Sequence, residues 1–217
     1  VSSLISALST NKQLANCEPN SVIFAALTAA SLDLPINPSL GFAHIVPYNS
    51  KKSDLPQGQF QIGYKGFIQL AIRSGQYKNI NALVIKEGEL KRYDKLTEEI
   101  EIDWLEDEEE RTKLPTIGYV AYFQLMSGFN KTIYWSMSKM QNHAKTYSQA
   151  YKYDLQKNTN KSFWTNDFDS QGLKTVLKSL ISKWGVMSVE MQKAVETDQA
   201  VINDNEITYV DNEKETQ

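Results

Sequence analysis

Residues 59–76 change their hydrophobic period at a pair of glycines, which restricts how the chain can fold there. Residues 59–62 alternate polar and apolar side chains as a β-strand does, and Gly63 and Gly66 follow. Apolar residues then recur at helical spacing; they are Phe67, Leu70, Ala71 and Ser74. Gly75 supplies the residue type that best adopts a left-handed helix stop. The pattern predicts a strand that turns directly into a short amphipathic helix with one buried face.

The other face of this helix carries a polar, cationic stripe. Its members, at i, i+4, i+8 and i+11, are Lys65, Gln69, Arg73 and Gln76. A rigid helix that buries one side and presents Lys, Gln and Arg on the other suits a phosphate backbone. A solvated helix face has the same spacing, and the spacing alone leaves both interpretations open.

Opposite charges are segregated along the chain, although the formal net charge is only −3. Residues 51–92 contain eight Lys/Arg against three Asp/Glu, and residues 131–193 contain ten against four. Nine acids and no base lie within residues 98–110, and seven acids face a single Lys within residues 194–217. Segregation of this kind is compatible with a positive groove on an acidic molecule, so the net charge does not exclude a nucleic-acid partner.

The order of the patterns predicts an α+β fold. It has a mostly antiparallel central sheet, a β-hairpin and flanking helices. Helices are predicted over residues 4–15 and 21–32, after a cap at Ser136 or Ser138, and between a cap at Asp169 or Ser170 and a stop at Gly185, with Trp184 facing inward. Strands are predicted over residues 43–48, 59–62, 80–85, 89–93, 117–125 and 131–135, and polar loops over 98–110 and 154–165. Residues 1–196 are expected to form one domain, and residues 197–217 a disordered acidic tail.

Residues 59–76 resemble the signature of the RecT/Redβ family of phage single-strand annealing proteins, in which Phe-Gln-Ile-Gly-Tyr-Lys-Gly leads to Leu-Ala-x-Arg-Ser-Gly-Gln. Residues 17–21, 34–38 and 40–48 are similar to the family's N-terminal landmarks, and residues 172–178 to its C-terminal Lys-Thr-Val helix. The resemblance covers about residues 15–188 in the same order. It implies an ATP-independent protein that binds single-stranded DNA, pairs complementary strands, promotes recombination and assembles into rings or helical filaments.

The resemblance also implies partners and a compartment. A phage exonuclease and a host single-strand-binding protein are the expected partners, with no cofactor, metal or membrane. The single Cys17 fits a reducing cytoplasm. No signal peptide and no apolar run long enough to span a bilayer is visible in the sequence, so a bacterial cytoplasmic location is expected.

Basic, amide and tyrosine side chains on the two basic segments are the predicted DNA contacts. They are Tyr64, Lys65, Gln69, Arg73, Gln76, Lys139, Lys145, Lys174 and Lys178. We place Lys174 and Lys178 opposite the apolar face of the last helix. Candidates for base stacking are Tyr64, Tyr77 and Trp135, with core packing the usual role for Trp135. Lys51 and Lys52, at the tip of the hairpin, are candidates to reach between bases or to contact a neighbouring subunit.

The sequence shows no arrangement of residues that predicts catalysis. His44 and His143 lie far apart, and the segment 58–65 lacks the Lys-Ser/Thr pair of a Walker phosphate loop. Two other function classes stay open. Residues 63–66 match the GxxG that clamps RNA in KH domains, although that motif joins two helices and here follows a strand. The acidic run 98–110 contains carboxylates for a metal-dependent nuclease, although they are crowded together rather than placed at strand ends.

Overall fold

The computed structural model describes residues 4–5, 8–9, 11–49, 53–203 and 206–209. The helices are α1 (Pro19–Ser31), α2 (Tyr64–Arg73), α3 (Glu108–Lys113), α4 (Met137–Tyr147), α5 (Gln149–Lys157), α6 (Phe163–Asn166), α7 (Phe168–Trp184) and α8 (Val189–Thr197). The strands are β1 (Ala43–Tyr48), β2 (Gln57–Ile62), β3 (Tyr77–Lys86), β4 (Leu90–Tyr93), β5 (Ile100–Ile102), β6 (Thr116–Leu125), β7 (Asn130–Ser136), β8 (Ala200–Asn203) and β9 (Glu206–Tyr209). All strand pairs are antiparallel, which confirms the predicted α+β class.

The chain forms two compact units. The first combines both ends of the chain, Val1–Arg73 and Met187–Gln217, and the second is Ser74–Val186. This division differs from the single domain expected over residues 1–196. No helix among the described residues is long and apolar enough to cross a membrane.

The first unit is built on a sheet in the order β1-β2-β8-β9. Strands β1 and β2 form the predicted hairpin, and α1 packs on the sheet with Val22, Ala25 and Ala29 buried. Helix α1 begins with Pro at its first position, and the Glu18 carboxylate before it accepts from two main-chain amides. The Cys-Glu-Pro-Asn-Ser segment is therefore explained locally as a helix start.

The glycines of the signature stretch place α2 close to the loop that enters β1. A side chain at Gly63 or Gly66 would overlap the carbonyl oxygen of Gly41 or Phe42. The predicted buried face is confirmed for Phe67, Leu70 and Ala71, which lie in the core; Ser74 is half-buried and lies beyond the helix. Gly75 has φ +67°, as its predicted role as a left-handed stop requires. The GxxG motif thus joins a strand to a helix and packs against main chain.

Regular structure continues past residue 197, where the sequence predicted the acidic tail to begin. The carboxylate of Asp198 accepts from the Ile62 amide at 3.1 Å, and Ala200 pairs with Phe60 in the sheet. Asp198, Ala200 and Val201 are buried because β8 continues the sheet formed by β1 and β2. The sequence pattern misses this strand since only four residues carry it. Residues 210–217 lie outside the described part of the chain.

The second unit is built on a three-stranded sheet, in the order β3-β6-β7, which α7 covers, and it also contains the two-stranded sheet β4-β5. Strand β6 is central, as its nearly continuous apolar run predicted, and Tyr119 and Phe123 are fully buried. Gly172 lets α7 approach the sheet, because a Cβ there would lie 2.6 Å from the Tyr119 ring. The Tyr119 hydroxyl donates to Asp169 at 2.6 Å, which fixes the start of the helix over the strand.

Four other predictions for the second unit were wrong. The acidic run 98–110, expected to be a solvated loop, contains β5 and the start of α3, capped by Asp107. The polar loop expected over 154–165 contains the end of α5 and most of α6, because the buried Asp154 carboxylate accepts from four donors between residues 159 and 165. Asp167 caps α7, and Trp184 at its end is 38% exposed rather than inward.

In the first unit, the helix expected over 4–15 does not continue to residue 15. Residues 11–13 are not helical and Leu14–Asn16 is a 3-10 turn. The Asn11 side chain accepts from the Gln13 amide at 3.0 Å, which offers the main chain a turn in place of a helix.

Candidate nucleic-acid interface

Helix α2 presents part of the predicted cationic stripe. Lys65 is exposed, and Gln69 and Tyr64 are half-buried. Gln76 lies beyond the end of the helix at Arg73, where its carbonyl accepts from the Met126 amide. Lys65 and Gln69 therefore lie on the exposed or half-exposed side of α2. Gln76 does not extend the stripe, because it lies outside the helix.

Arg73 has an intramolecular role that the spacing did not predict. Its guanidinium donates to the main-chain carbonyls of Leu32 at 3.0 Å and Asp33 at 2.8 Å, and lies 3.7 Å from the Asp33 carboxylate. These carbonyls close the C-terminal end of α1, where acceptors lack partners within the helix. Arg73 therefore holds α2 against α1 within the first unit.

A cation and three aromatic rings line up where β7 passes into α4. The Lys139 ammonium lies 4.0 Å from the centre of the Trp135 ring. The His143 ring follows, 5.3 Å from Trp135 and 4.6 Å from Tyr147, which is exposed. Cations with rings presented side by side are the groups that bind the phosphates and bases of single strands. Trp135 is only half-buried, so the surface leaves part of its ring accessible.

Local sequence holds this row of side chains in place. The Ser136 hydroxyl caps α4 by accepting from the Lys139 amide, one of the two caps predicted for this helix. Met140 and Ala144 are buried, and Lys139 and His143 directly precede them, about 100° around the axis of α4. The helix ends at Tyr147, because Ser148 adopts an extended conformation and caps α5.

His143 lies in a positive field. Burial lowers the pKa of its imidazole below the usual value, and the nearby Lys139 and Lys178 lower it further. Burial likewise lowers the pKa of Lys139, against the influence of Glu98, while Lys183 lowers it further. These mutual influences mean that four cationic or titratable side chains, from α4 and α7, share one region of the second unit.

Two more lysines and a tryptophan extend this region, and the sequence did not single them out. The ammonium groups of Lys131 and Lys183 lie 4.8 and 5.0 Å from the centre of the Trp184 ring. Both also contact the Glu98 carboxylate, at 2.9 and 3.6 Å. We call the surface formed by Lys131, Trp135, Lys139, His143, Lys183 and Trp184 the aromatic–lysine face. Lys139 and Trp135 were predicted contacts, and the basic balance of residues 131–193 was the only signal in the sequence for Lys131 and Lys183.

The remaining predicted contacts are placed differently. Lys174 is only 5% exposed, so it lies on the buried side of α7 and not opposite the apolar face. Lys178 is half-buried one turn later, and Lys145 is exposed on α4. Tyr77 is buried and its hydroxyl donates to the Val186 carbonyl at 2.9 Å, a core position that does not suit base stacking. Lys51 and Lys52 lie outside the described residues.

Several carboxylates of the acidic run serve the fold of the second unit. Asp107 caps α3, Glu108 lies 3.8 Å from the Arg111 guanidinium, and Glu98 contacts two lysines. Within the described ranges, no three His, Cys, Asp or Glu side chains converge as a metal site would require. The nuclease and KH alternatives therefore gain no support from this part of the chain.

Similarity to known proteins agrees with the resemblance of the motifs. A model of the RecT family matches residues 1–216. An uncharacterized protein of Bacillus subtilis strain 168, YqaK, is 49% identical over 193 residues, which cover 89% of this chain and 61% of that protein. Protein RecT of Escherichia coli strain K12 is 29% identical over 190 residues, which cover 86% of this chain and 65% of that protein. The chain thus spans less than two thirds of the length of each of these relatives.

Proposed function

The chain belongs to the RecT family, and from this premise we propose that it anneals complementary single strands of DNA without ATP and promotes homologous recombination. The proposed activity is strand pairing by a binding protein, with no chemical step. The observation that carries it is the aromatic–lysine face, where cations and exposed ring surfaces lie within about 5 Å of each other. Single-strand-binding surfaces combine these two groups because the backbone is anionic and every base has a stacking face.

The physical obstacle to annealing is that two polyanionic strands repel each other. A basic groove that binds the backbone of the first strand releases its counterions and lowers this repulsion. If that strand is held extended with its bases outward, a second strand can test its sequence, and Watson–Crick pairing supplies the specificity. Lys139 and Lys145 on α4 and Lys178 on α7 are the proposed backbone contacts in the second unit, beside the stacking surface of Trp135.

In the first unit, we propose that Lys65 and Gln69 contact the backbone from the exposed side of α2, with Tyr64 at its start. Arg73 is proposed to contribute through its hydrogen bonds to the end of α1 as well as through its charge.

Lys174 of the second unit stays in the proposed set only by the resemblance, since its burial does not favour a contact at the surface.

A useful length of DNA needs more than one subunit. We propose that the chain assembles into rings or helical filaments, and that it works in the bacterial cytoplasm beside a phage exonuclease and a host single-strand-binding protein. These proposals rest on the family and not on any surface of the described residues.

The deciding experiment mixes two complementary oligonucleotides with the purified protein, without ATP, and follows pairing by fluorescence while the assemblies are imaged. Accelerated pairing together with higher-order assemblies is expected. Protein that binds oligonucleotides but neither accelerates their pairing nor assembles would refute the proposal.

A matched pair of variants tests the aromatic–lysine face in the same assay. Lys139→Ala is expected to weaken binding similarly for all sequences and to make the slope of log affinity against log salt shallower by about 0.7. Lys113→Ala removes the same charge from an exposed position on α3 and should leave the slope unchanged. Equal effects of the two substitutions would mean that the face acts only through net charge.

A further inference from the structure

Glu98 occupies the centre of a small cationic site on the second unit. Its carboxylate lies 2.9 Å from the Lys131 ammonium and 3.6 Å from that of Lys183, and both ammonium groups lie about 5 Å from the Trp184 ring. The Glu98 side chain is 18% exposed, so the carboxylate is largely withdrawn from water. Two ammonium groups converging on one anion beside an indole is an arrangement that a phosphate group would also satisfy.

The main chain at Glu98 gives an independent indication that the side chain matters. Its φ is +60°, a left-handed conformation that favours glycine or asparagine and is unfavourable for a glutamate. The turn does not need a carboxylate at this position, because Asp94 caps it through the amides of Leu96 and Thr97 at 2.8 and 3.0 Å. The Glu98 amide donates to the Asp94 carbonyl at 2.9 Å through main chain alone.

Strained backbone held by its surroundings is a recognised mark of a functional position. Here the strain directs a carboxylate toward the two lysines of the aromatic–lysine face. The Lys131 ammonium also donates to the Thr97 carbonyl at 3.2 Å, so this lysine stays in place whether or not the carboxylate remains. Lys183 is more exposed and has the freedom to change partner.

We propose that Lys131, Lys183 and Trp184 form a phosphate subsite for single-stranded nucleic acid, and that Glu98 is the anion that occupies it in the free protein. Binding of a strand exchanges the carboxylate for a backbone phosphate. Because the Glu98 carboxylate competes for the two lysines, an isolated anion binds the subsite weakly. A ligand occupies the subsite only if it also gains contacts elsewhere on the aromatic–lysine face. This inference rests on the proposed function and names a contact within it.

The exchange has a measurable consequence for affinity and for salt dependence. Glu98→Gln keeps the shape of the side chain and removes the competing charge. It should tighten binding of a labelled oligothymidylate at low salt on the order of fivefold, because a phosphate no longer has to displace a carboxylate from the two lysines. The slope of log affinity against log salt should become steeper by about 0.7, because strand binding to the variant no longer frees a carboxylate that takes up a cation in exchange. Glu99→Gln makes the same change of net charge at the exposed neighbouring residue and is the control.

A second substitution separates the subsite from the folding of the turn. Glu98→Gly removes the carboxylate and accommodates the positive φ, so it should fold at least as well as the wild type and bind like Glu98→Gln. Adding Lys131→Ala and Lys183→Ala to Glu98→Gln should abolish the gain in affinity. Thermal unfolding of every variant shows whether the samples compared are folded.

The outcomes distinguish this inference from the proposed function. Wild-type protein that does not bind oligothymidylate contradicts the proposed function. If the wild type binds but Glu98→Gln, Glu98→Gly and Glu99→Gln all change affinity equally, Glu98 acts only through net charge and the subsite is refuted. The subsite is also refuted if the gain persists after both lysines are removed. A gain specific to the two Glu98 variants that disappears with the lysines supports it.

Discussion

Replacing Glu89 by glutamine should strongly destabilise the second unit, because it removes the main partner of a largely buried arginine. The Glu89 side chain is fully buried, and its carboxylate accepts from the Arg111 guanidinium at 2.6 Å and from the Lys86 amide at 2.7 Å. Arg111, 14% exposed, also donates to the Val84 carbonyl at 2.9 Å. The pair ties α3 to the end of β3, and the Glu89 carbonyl accepts from the Asp103 amide just after β5.

The magnitude follows from what Glu89→Gln leaves behind. After the substitution the Arg111 guanidinium still donates to the Val84 carbonyl and still lies 3.8 Å from the Glu108 carboxylate. It loses the Glu89 carboxylate, which is the main partner of this largely buried charge. Removing one partner of a buried ion pair costs about 3 to 5 kcal/mol, and we expect the lower end because part of Arg111 can be rehydrated. A loss of about 3 kcal/mol corresponds to a fall in Tm of about 12 °C for a unit of this size.

The assay is thermal unfolding followed by circular dichroism, with Glu108→Gln as the control. Glu108 is exposed and its contact with Arg111 is long, so its loss should cost at most about 0.5 kcal/mol. A double variant with Arg111→Met should be less destabilised than the sum of its single changes, because it leaves no unpaired charge. A Tm for Glu89→Gln within about 2 °C of the wild type, on the scale of about 4 °C per kcal/mol, would refute the reasoning.

The pH dependence supplies a second check. Burial raises the pKa of Glu89, but hydrogen bonds from Arg111 and the Lys86 amide outweigh it and hold the pKa below the usual 4.5. The unfolded chain therefore binds the proton first as the pH falls. The stabilisation is fully present above about pH 4.5 and is lost as the pH falls through the folded pKa. The difference in stability between wild type and Glu89→Gln should shrink correspondingly below pH 4.5.

Arg73→Ala should lower stability in urea unfolding by about 1 to 2 kcal/mol, since two charged hydrogen bonds to the end of α1 are lost, whereas an Arg73 that only solvates the helix would cost almost nothing. The free energy of unfolding of the wild type should fall as the pH drops below 6.5, because the unfolded chain protonates His143 first. His143→Asn should flatten this part of the plot of stability against pH. A plot that His143→Asn leaves unchanged would contradict the burial of the ring. Deleting residues 198–217 should destabilise the first unit, because it removes Asp198 and β8. Deleting only residues 210–217 should preserve folding, measured by circular dichroism, and annealing, measured in the oligonucleotide assay. Equal behaviour of the two deletions would place β8 outside the folded unit.

The signature stretch shows how far local sequence reaches. The change of period at Gly63, the buried face of α2 and the left-handed Gly75 were all predicted, and the structure confirms them. These features depend on residues that are neighbours in the chain, through side-chain periodicity and the conformational freedom of glycine. The same holds for β6, whose nearly continuous apolar run predicted a central strand.

The roles of charged residues were harder to predict, because they depend on partners that are distant in sequence. Spacing placed Arg73 on a free cationic stripe, but its hydrogen bonds go to carbonyls 40 and 41 residues earlier. Spacing placed Lys174 opposite the apolar face of α7, but its side chain is buried. A helical pattern shows which face a residue occupies and cannot show what packs against that face.

The sequence by itself determined the family, the α+β class, the strand-to-helix turn of the signature and the basic character of residues 131–193. Only the tertiary structure decided which of those cations contact an aromatic ring and which contact a carboxylate. Lys131, Lys183 and Glu98 come from β7, α7 and the turn after β4, so no local period relates them. Their meeting at Trp184 is set by how α7 lies across the sheet, because ion pairs and ring contacts act over a few ångströms of space and not along the chain.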